Sequence, residues 1–72
     1  MTLDERYRKS HEAGSIRNYK SKEINIRGNK FSVYFNQDKS DNLYIICFDK
    51  NPVFSSYLYS EAINKYNSYE SK

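Results

Sequence analysis

The stretch Glu23-Ile24-Asn25-Ile26-Arg27-Gly28-Asn29-Lys30-Phe31-Ser32-Val33-Tyr34-Phe35-Asn36 decides the fold of this chain. Apolar and polar residues alternate on both sides of Gly28-Asn29, which is the period of a half-buried strand. Glycine at the first of two turn positions predicts a type II′ hairpin, with Ile26 opposite Phe31 and Ile24 opposite Val33. Ile24, Ile26, Phe31, Val33 and Phe35 then share one face. Glu23, Asn25, Arg27, Lys30, Ser32, Tyr34 and Asn36 share the other. Both strands agree on which face is buried, an agreement that a one-residue slip would destroy.

Upstream, Thr2-Leu3-Asp4-Glu5 fits a capping box, with a Thr N-cap and Glu three residues on. Asp4–Arg8 and Glu5–Lys9 are acid-before-base pairs at i,i+4, and Gly14 is a natural stop, so a helix is expected over residues 3–13. Its apolar face is thin, consisting of Leu3 and Tyr7 with little help from Ala13, and such a helix needs docking to persist. Residues 14–22 read as a polar, basic connector carrying Ile16 and Tyr19.

Downstream, Gln37-Asp38-Lys39-Ser40-Asp41-Asn42 reads as a polar turn. Leu43-Tyr44-Ile45-Ile46-Cys47-Phe48 is a third strand, apolar on both faces and so central or covered on two sides. Asp49-Lys50-Asn51-Pro52 breaks the chain, and Val53 to Tyr59 is either a short fourth strand or a lead into a helix. The last helix starts near Ser60 and presents Tyr59, Ala62, Ile63 and Tyr66 to the sheet, with fraying expected beyond Asn67. The expected fold is α+β in the order α-β-β-β-α. It is a single small domain over residues 1–72, with an antiparallel three-stranded sheet, a candidate fourth strand, and the C-terminal helix packed on the Ile24/Ile26/Phe31/Val33 face. The first helix is expected across an edge or on the other face.

Eight tyrosines and four phenylalanines stand among 72 residues, with no tryptophan and one cysteine. Tyrosine carries a rigid apolar face and a polar tip, which suits wet contact surfaces as well as cores. A domain of this size holds a small core, worth roughly 3–5 kcal/mol of net stability, and cannot bury all eight. The lone Cys47 excludes an internal disulfide, and one histidine with no Cys pair gives no zinc-ligand spacing. No Gly-rich phosphate loop, paired-carboxylate motif or Ser/His/Asp order can be assembled. His11 sits on a polar helix without partners, and Cys47 reads as a buried filler. The Asp38–Asn42 stretch is oxygen-rich, but Leu43 stands where a calcium loop needs glycine. The expectation is therefore a protein without catalysis and without a cofactor.

No run of about 18 apolar residues is present to cross a membrane. The start Met1-Thr2-Leu3-Asp4-Glu5 is acidic and then basic, unlike a signal peptide, so a cytoplasmic protein is expected. Asn, Lys, Tyr, Ile and Ser make up more than half of the chain. Their codons are A/T-rich, which suits a low-GC bacterium or its phage and explains part of the tyrosine excess. Charge is uneven: eight Lys and Arg lie between Arg6 and Lys30 against only Glu12 and Glu23. Such a basic segment can meet an acidic protein or a phosphate backbone.

The outer hairpin face is the candidate binding surface, with Asn25, Arg27, Lys30, Ser32 and Tyr34 rising together from two paired strands. Tyr19 in the connector and Arg6, Arg8 and Lys9 on the first helix join it. The leading expectation is a phage- or mobile-element-encoded modulator that occludes a host protein or nucleoprotein. Tyrosine supplies contact area there and the basic helix speeds encounter. Homodimerisation is a further candidate. The alternative is a sheet-type nucleic-acid binder, because Arg, Lys, Asn and Tyr on paired strands can read phosphates and base edges. Two resemblances bear on it. The element order is similar to that of double-stranded-RNA-binding domains, although Ser60-Glu61-Ala62-Ile63 stands where their second helix begins Lys-Lys-x-x-Ala-Lys. Asp49 followed at a distance by residues 60–67 faintly resembles the end of AP2-type and phage-integrase arm-binding domains, which read DNA with a three-stranded sheet backed by a helix. The stretch between Asp49 and Ser60 and the missing Trp and Gly landmarks depart from them.

Overall fold

A computed structural model describes residues 2–72. Helix α1 spans Leu3–Glu12, followed by strands β1 (Ile16–Ile26), β2 (Asn29–Asp38), β3 (Leu43–Phe48) and β4 (Asn51–Ser56), and helix α2 (Tyr59–Asn67). The strands form one antiparallel sheet in the order β1-β2-β3-β4. The α+β expectation holds, and residues 51–56 supply the fourth strand.

Thr2 caps α1 by accepting a hydrogen bond from the Glu5 amide at 3.2 Å, and Gly14 ends the turn beyond it with φ +73°. Of the two expected ion pairs, Asp4–Arg8 forms at 3.8 Å on the surface. The Glu5 carboxylate instead accepts the Thr2 hydroxyl.

The hairpin keeps its faces and changes its partners. Ile24 lies opposite Phe31 and Ile26 opposite Asn29, with Arg27 (φ +52°) and Gly28 (φ +84°) as the turn residues. Two central residues with positive φ make a type I′ turn, in which Gly28 takes the second place rather than the first. Pairing has moved by two residues, one full strand period, so no side chain changes face. The left-handed conformation at Arg27 costs about 1–2 kcal/mol in a residue other than glycine. Arg27→Asn is accordingly expected to stabilise the fold by about 0.5–1 kcal/mol, read as a higher urea midpoint. A lower midpoint would show that the Arg27 side chain is needed in the fold.

The basic connector is strand. β1 begins at Ile16, and Tyr19 is the extra residue of a bulge between Asn18–Asn36 and Lys20–Phe35. A bulge reverses the alternation, and without it the period-2 pattern could not run through residues 16–26. A second bulge, at Val53, separates the pairs Ile46–Phe54 and Cys47–Pro52.

Two cores lie on the two faces of the sheet. Beneath α2, Ile24, Val33, Phe35, Ile46, Ala62 and Tyr66 are buried, with Ile26, Phe31, Tyr44, Phe48, Phe54 and Ile63 packed around them. On the opposite face Leu43, Ile45 and Cys47 are buried against Tyr7, Ile16 and Tyr34. The double-sided strand β3 is central because each of its faces feeds one of these cores. The segment after α2, expected to fray, packs back onto the sheet. Tyr69 stacks on Phe48 at 5.2 Å, Phe48 on Phe31 at 5.1 Å, and the Lys72 amide donates to the Asn25 carbonyl at 2.7 Å.

Candidate functional site

α1 covers only part of its sheet face. It docks toward β4 and over the Leu43/Ile45/Cys47 cluster, leaving the hairpin end of the face open. There Asn25 lies opposite Lys30, Glu23 opposite Ser32 and Ser21 opposite Tyr34. Asn25 and Lys30 are exposed, whereas Ser32 and Tyr34 are half-buried. The open face runs into a groove of about 600 Å³ between α1 and the sheet, lined by Tyr7, His11, Ile16, Tyr34, Asn36 and Lys50 among others. Lys50 reaches its position from the β3–β4 turn, where it and Asp49 both have positive φ (+72° and +51°).

The groove floor is a linked polar chain. Asn18 Nδ2 donates to Asn36 Oδ1 at 2.8 Å, and Asn36 Nδ2 donates to Tyr7 Oη at 3.1 Å and lies 3.8 Å from Cys47 Sγ. Burial, followed by the neighbouring Cys47 sulfur, pushes the Tyr7 phenol up to about 12. Burial also raises the Cys47 thiol. Both shifts favour the protonated, neutral form of these groups at neutral pH.

Arg6 was expected to greet a partner, but its guanidinium turns inward. It bonds Asp38 Oδ2 at 3.3 Å and also Asp41. Asp38 is 1% exposed. Its carboxylate accepts hydrogen bonds from Ser10 Oγ and Arg6 on one oxygen and from the Ser40 amide and hydroxyl on the other. Burial alone would raise the Asp38 carboxyl, but the Ser10 and Ser40 donors outweigh it and hold the group well below the usual carboxylate range. The hydrogen bond from Arg6 lowers Asp41 in the same direction. This cluster ties α1 to the β2–β3 turn. Among the described residues, no group of three or more His, Cys, Asp or Glu is gathered as a metal would require.

The sequence-predicted residues therefore fall into five places. Asn25, Lys30, Ser32 and Tyr34 stand together on the open face. Arg27 projects from the turn at its end. Arg8 and Lys9 are exposed on α1 and Arg6 is committed to the fold. Tyr19 is on the other side of the sheet, packed edge-on to Phe35 at 6.1 Å, with its hydroxyl donating to Gln37 Oε1 at 2.8 Å. The bulge put it there.

Sequence reasoning missed a second tyrosine surface on that other side. Tyr59 lies 5.6 Å from Phe35 and 5.7 Å from Tyr44, and Tyr19 lies 6.3 Å from Tyr44, so the three tyrosines form one strip. Tyr19 is 48% exposed and Tyr59 52%, beside Leu58 at 59%. The Arg17 guanidinium sits over the Tyr19 ring at 5.2 Å. Comparison of the chain with protein-family models, curated proteins and solved structures finds no match.

Proposed function

We propose that this chain is a small non-enzymatic binding protein that occludes a surface of a larger host protein or nucleoprotein, as a phage- or mobile-element-encoded inhibitor does. The observation that carries the reading is the half-covered sheet face. Tyr34 lies half-buried at the edge of a groove, Ser32 and Asn25 supply hydrogen-bonding groups along the same face, and Lys30 and Lys50 outweigh Glu23 in charge there. A desolvating aromatic inside a polar, cationic rim has the composition of a binding hot spot. Lys9 is exposed, and Arg8, exposed in a surface pair with Asp4, adds to the positive charge that steers encounter with an acidic partner.

The test is capture of one stoichiometric partner by the tagged protein. Lys30→Glu combined with Lys50→Glu alters two exposed side chains and is expected to abolish capture while leaving the urea transition unchanged. Tyr34→Ala is expected to abolish capture as well, at a cost of about 1–2 kcal/mol in stability because the ring is half-buried. If both variants retain the same partner, this surface is not the contact.

The nucleic-acid reading has one observation of its own. Arg17, Lys20 and Lys22 share the α2 side of β1 with Tyr19, and no acid lies among them on that strand face. Aromatic and basic residues interleaved in this way suit a single strand. It requires binding at about 50 mM salt that falls steeply as salt is added, and absence of binding to any duplex or single strand under those conditions ends it.

A further inference from the structure

We infer that the free edge of β1 between the Tyr19 bulge and Asn25 takes up an extended, acidic polypeptide segment as an added strand. The inference rests on the binding reading above and names the chemistry of the partner. β1 pairs with β2 on one side only. Its other side is already used as a strand acceptor at one end. The Lys72 amide donates to the Asn25 carbonyl at 2.7 Å, the Arg27 amide reaches the Lys72 carbonyl at 3.4 Å, and the Asn25 amide donates to Ser71 Oγ at 2.9 Å. The first two of these are the bonds of a parallel bridge.

Alternation then dictates what is free beyond it. The backbone of Asn25 points outward, so those of Glu23 and Ser21 do too. The Ser32 carbonyl confirms the phase, because it turns away from Glu23 to accept the Asp49 amide at 2.8 Å. Among the described residues nothing bonds the outward amides of Ser21 and Glu23. Open edges invite pairing, and side chains decide with what. Along this edge Arg17, Lys20 and Lys22 lie on the α2 side. A second copy of the chain pairing antiparallel through β1 would set these cations against one another, which disfavours a homodimer. A strand bearing acids on that face meets them favourably. A polypeptide fits better than a nucleic acid for two reasons: an extended backbone repeats its donors and acceptors in step with the alternating outward amides and carbonyls, and Glu23 on the opposite face repels phosphate.

The probe is a six-residue peptide alternating glutamate and valine, added to the full chain and followed by amide hydrogen exchange. Exchange at Ser21 and Glu23 is expected to slow at least tenfold at saturation (about 1.4 kcal/mol), with a lysine–valine peptide of the same length inactive. Ser21→Pro removes one outward donor and none that bonds β2, so it is expected to abolish the protection with the sheet intact. Should that variant not fold, Lys20→Glu with Lys22→Glu serves instead and is expected to weaken the peptide about tenfold. Absence of protection at Ser21 and Glu23, equal protection by the lysine–valine peptide, displacement by oligothymidine, or self-association through β1 each overturns the inference. Failure of the peptide with partner capture through Tyr34 intact removes this inference alone, whereas loss of the binding reading shows in the capture experiment.

Discussion

Phe35→Ala is expected to remove about 4 kcal/mol of stability, which for a domain of this size is close to all of it. Phe35 is 1% exposed on β2. Tyr44, Tyr59, Tyr66 and Tyr19 surround its ring with centroids at 5.5, 5.6, 5.8 and 6.1 Å. Deleting it opens a cavity bounded by rigid rings from β1, β3 and α2, which cannot collapse without giving up their own edge-to-face contacts. The expected result is a chain with no cooperative urea transition in far-UV circular dichroism. Phe35→Leu, which keeps most of the volume, loses about 1–1.5 kcal/mol and stays folded. An alanine variant that unfolds cooperatively with a loss below about 1 kcal/mol would show that the aromatic ring cluster is not the centre of the core.

Acid weakens this protein through Asp38. The carboxyl is lower in the folded chain than its ordinary value of 3.8, so its ionised form is the one that folding favours. The stability this supplies is complete above about pH 4–5 and is lost as pH falls through the folded value. Asp41, lowered by Arg6, contributes in the same direction and less strongly because it is exposed. Asp38→Ala leaves Ser10 and Ser40 without their acceptor and Arg6 with Asp41 alone, at an expected cost of about 3 kcal/mol at neutral pH. Asp38→Asn keeps the shape and removes this ionisation, so its stability is expected to fall less between pH 7 and pH 3 than that of the parent, with Asp41 supplying the smaller remainder. Parallel acid limbs for the parent and Asp38→Asn in urea unfolding would assign the acid dependence to other groups.

These two residues also mark how far the chain could be read unaided. Phe35 lies on the buried face that strict alternation from Glu23 to Asn36 predicts. Asp38 looked like part of a polar turn. The signal was weak but present: Leu3, Arg6, Tyr7 and Ser10 follow helical i, i+3, i+4, i+7 spacing, so Arg6 and Ser10 belong to the inward stripe of α1 with the two residues that made it look thin. Asn36 and Asp38 likewise continue the period of β2 beyond its last aromatic. A polar residue at a core-facing position reads as solvent-exposed until its partner is known, and the partners here lie about thirty residues away.

The candidate surface divided for a similar reason. Asn25, Lys30, Ser32 and Tyr34 stayed together because they depend only on the hairpin's alternation, which survived the change of turn type. Tyr19 left them because one bulge reversed its side. Arg6 left them because two aspartates from the β2–β3 turn claimed its charge.

Periodicity, caps and turn residues alone determined both helices, the hairpin and its faces, the third strand and the membership of the main core, since these depend on neighbours within a few residues. Tertiary structure decided the rest: that the basic connector is an edge strand, that β4 completes the sheet, that the last residues pair with β1, and which tyrosines meet solvent. Each of these rests on long-range pairing, where one inserted residue or one buried carboxylate outweighs local preference.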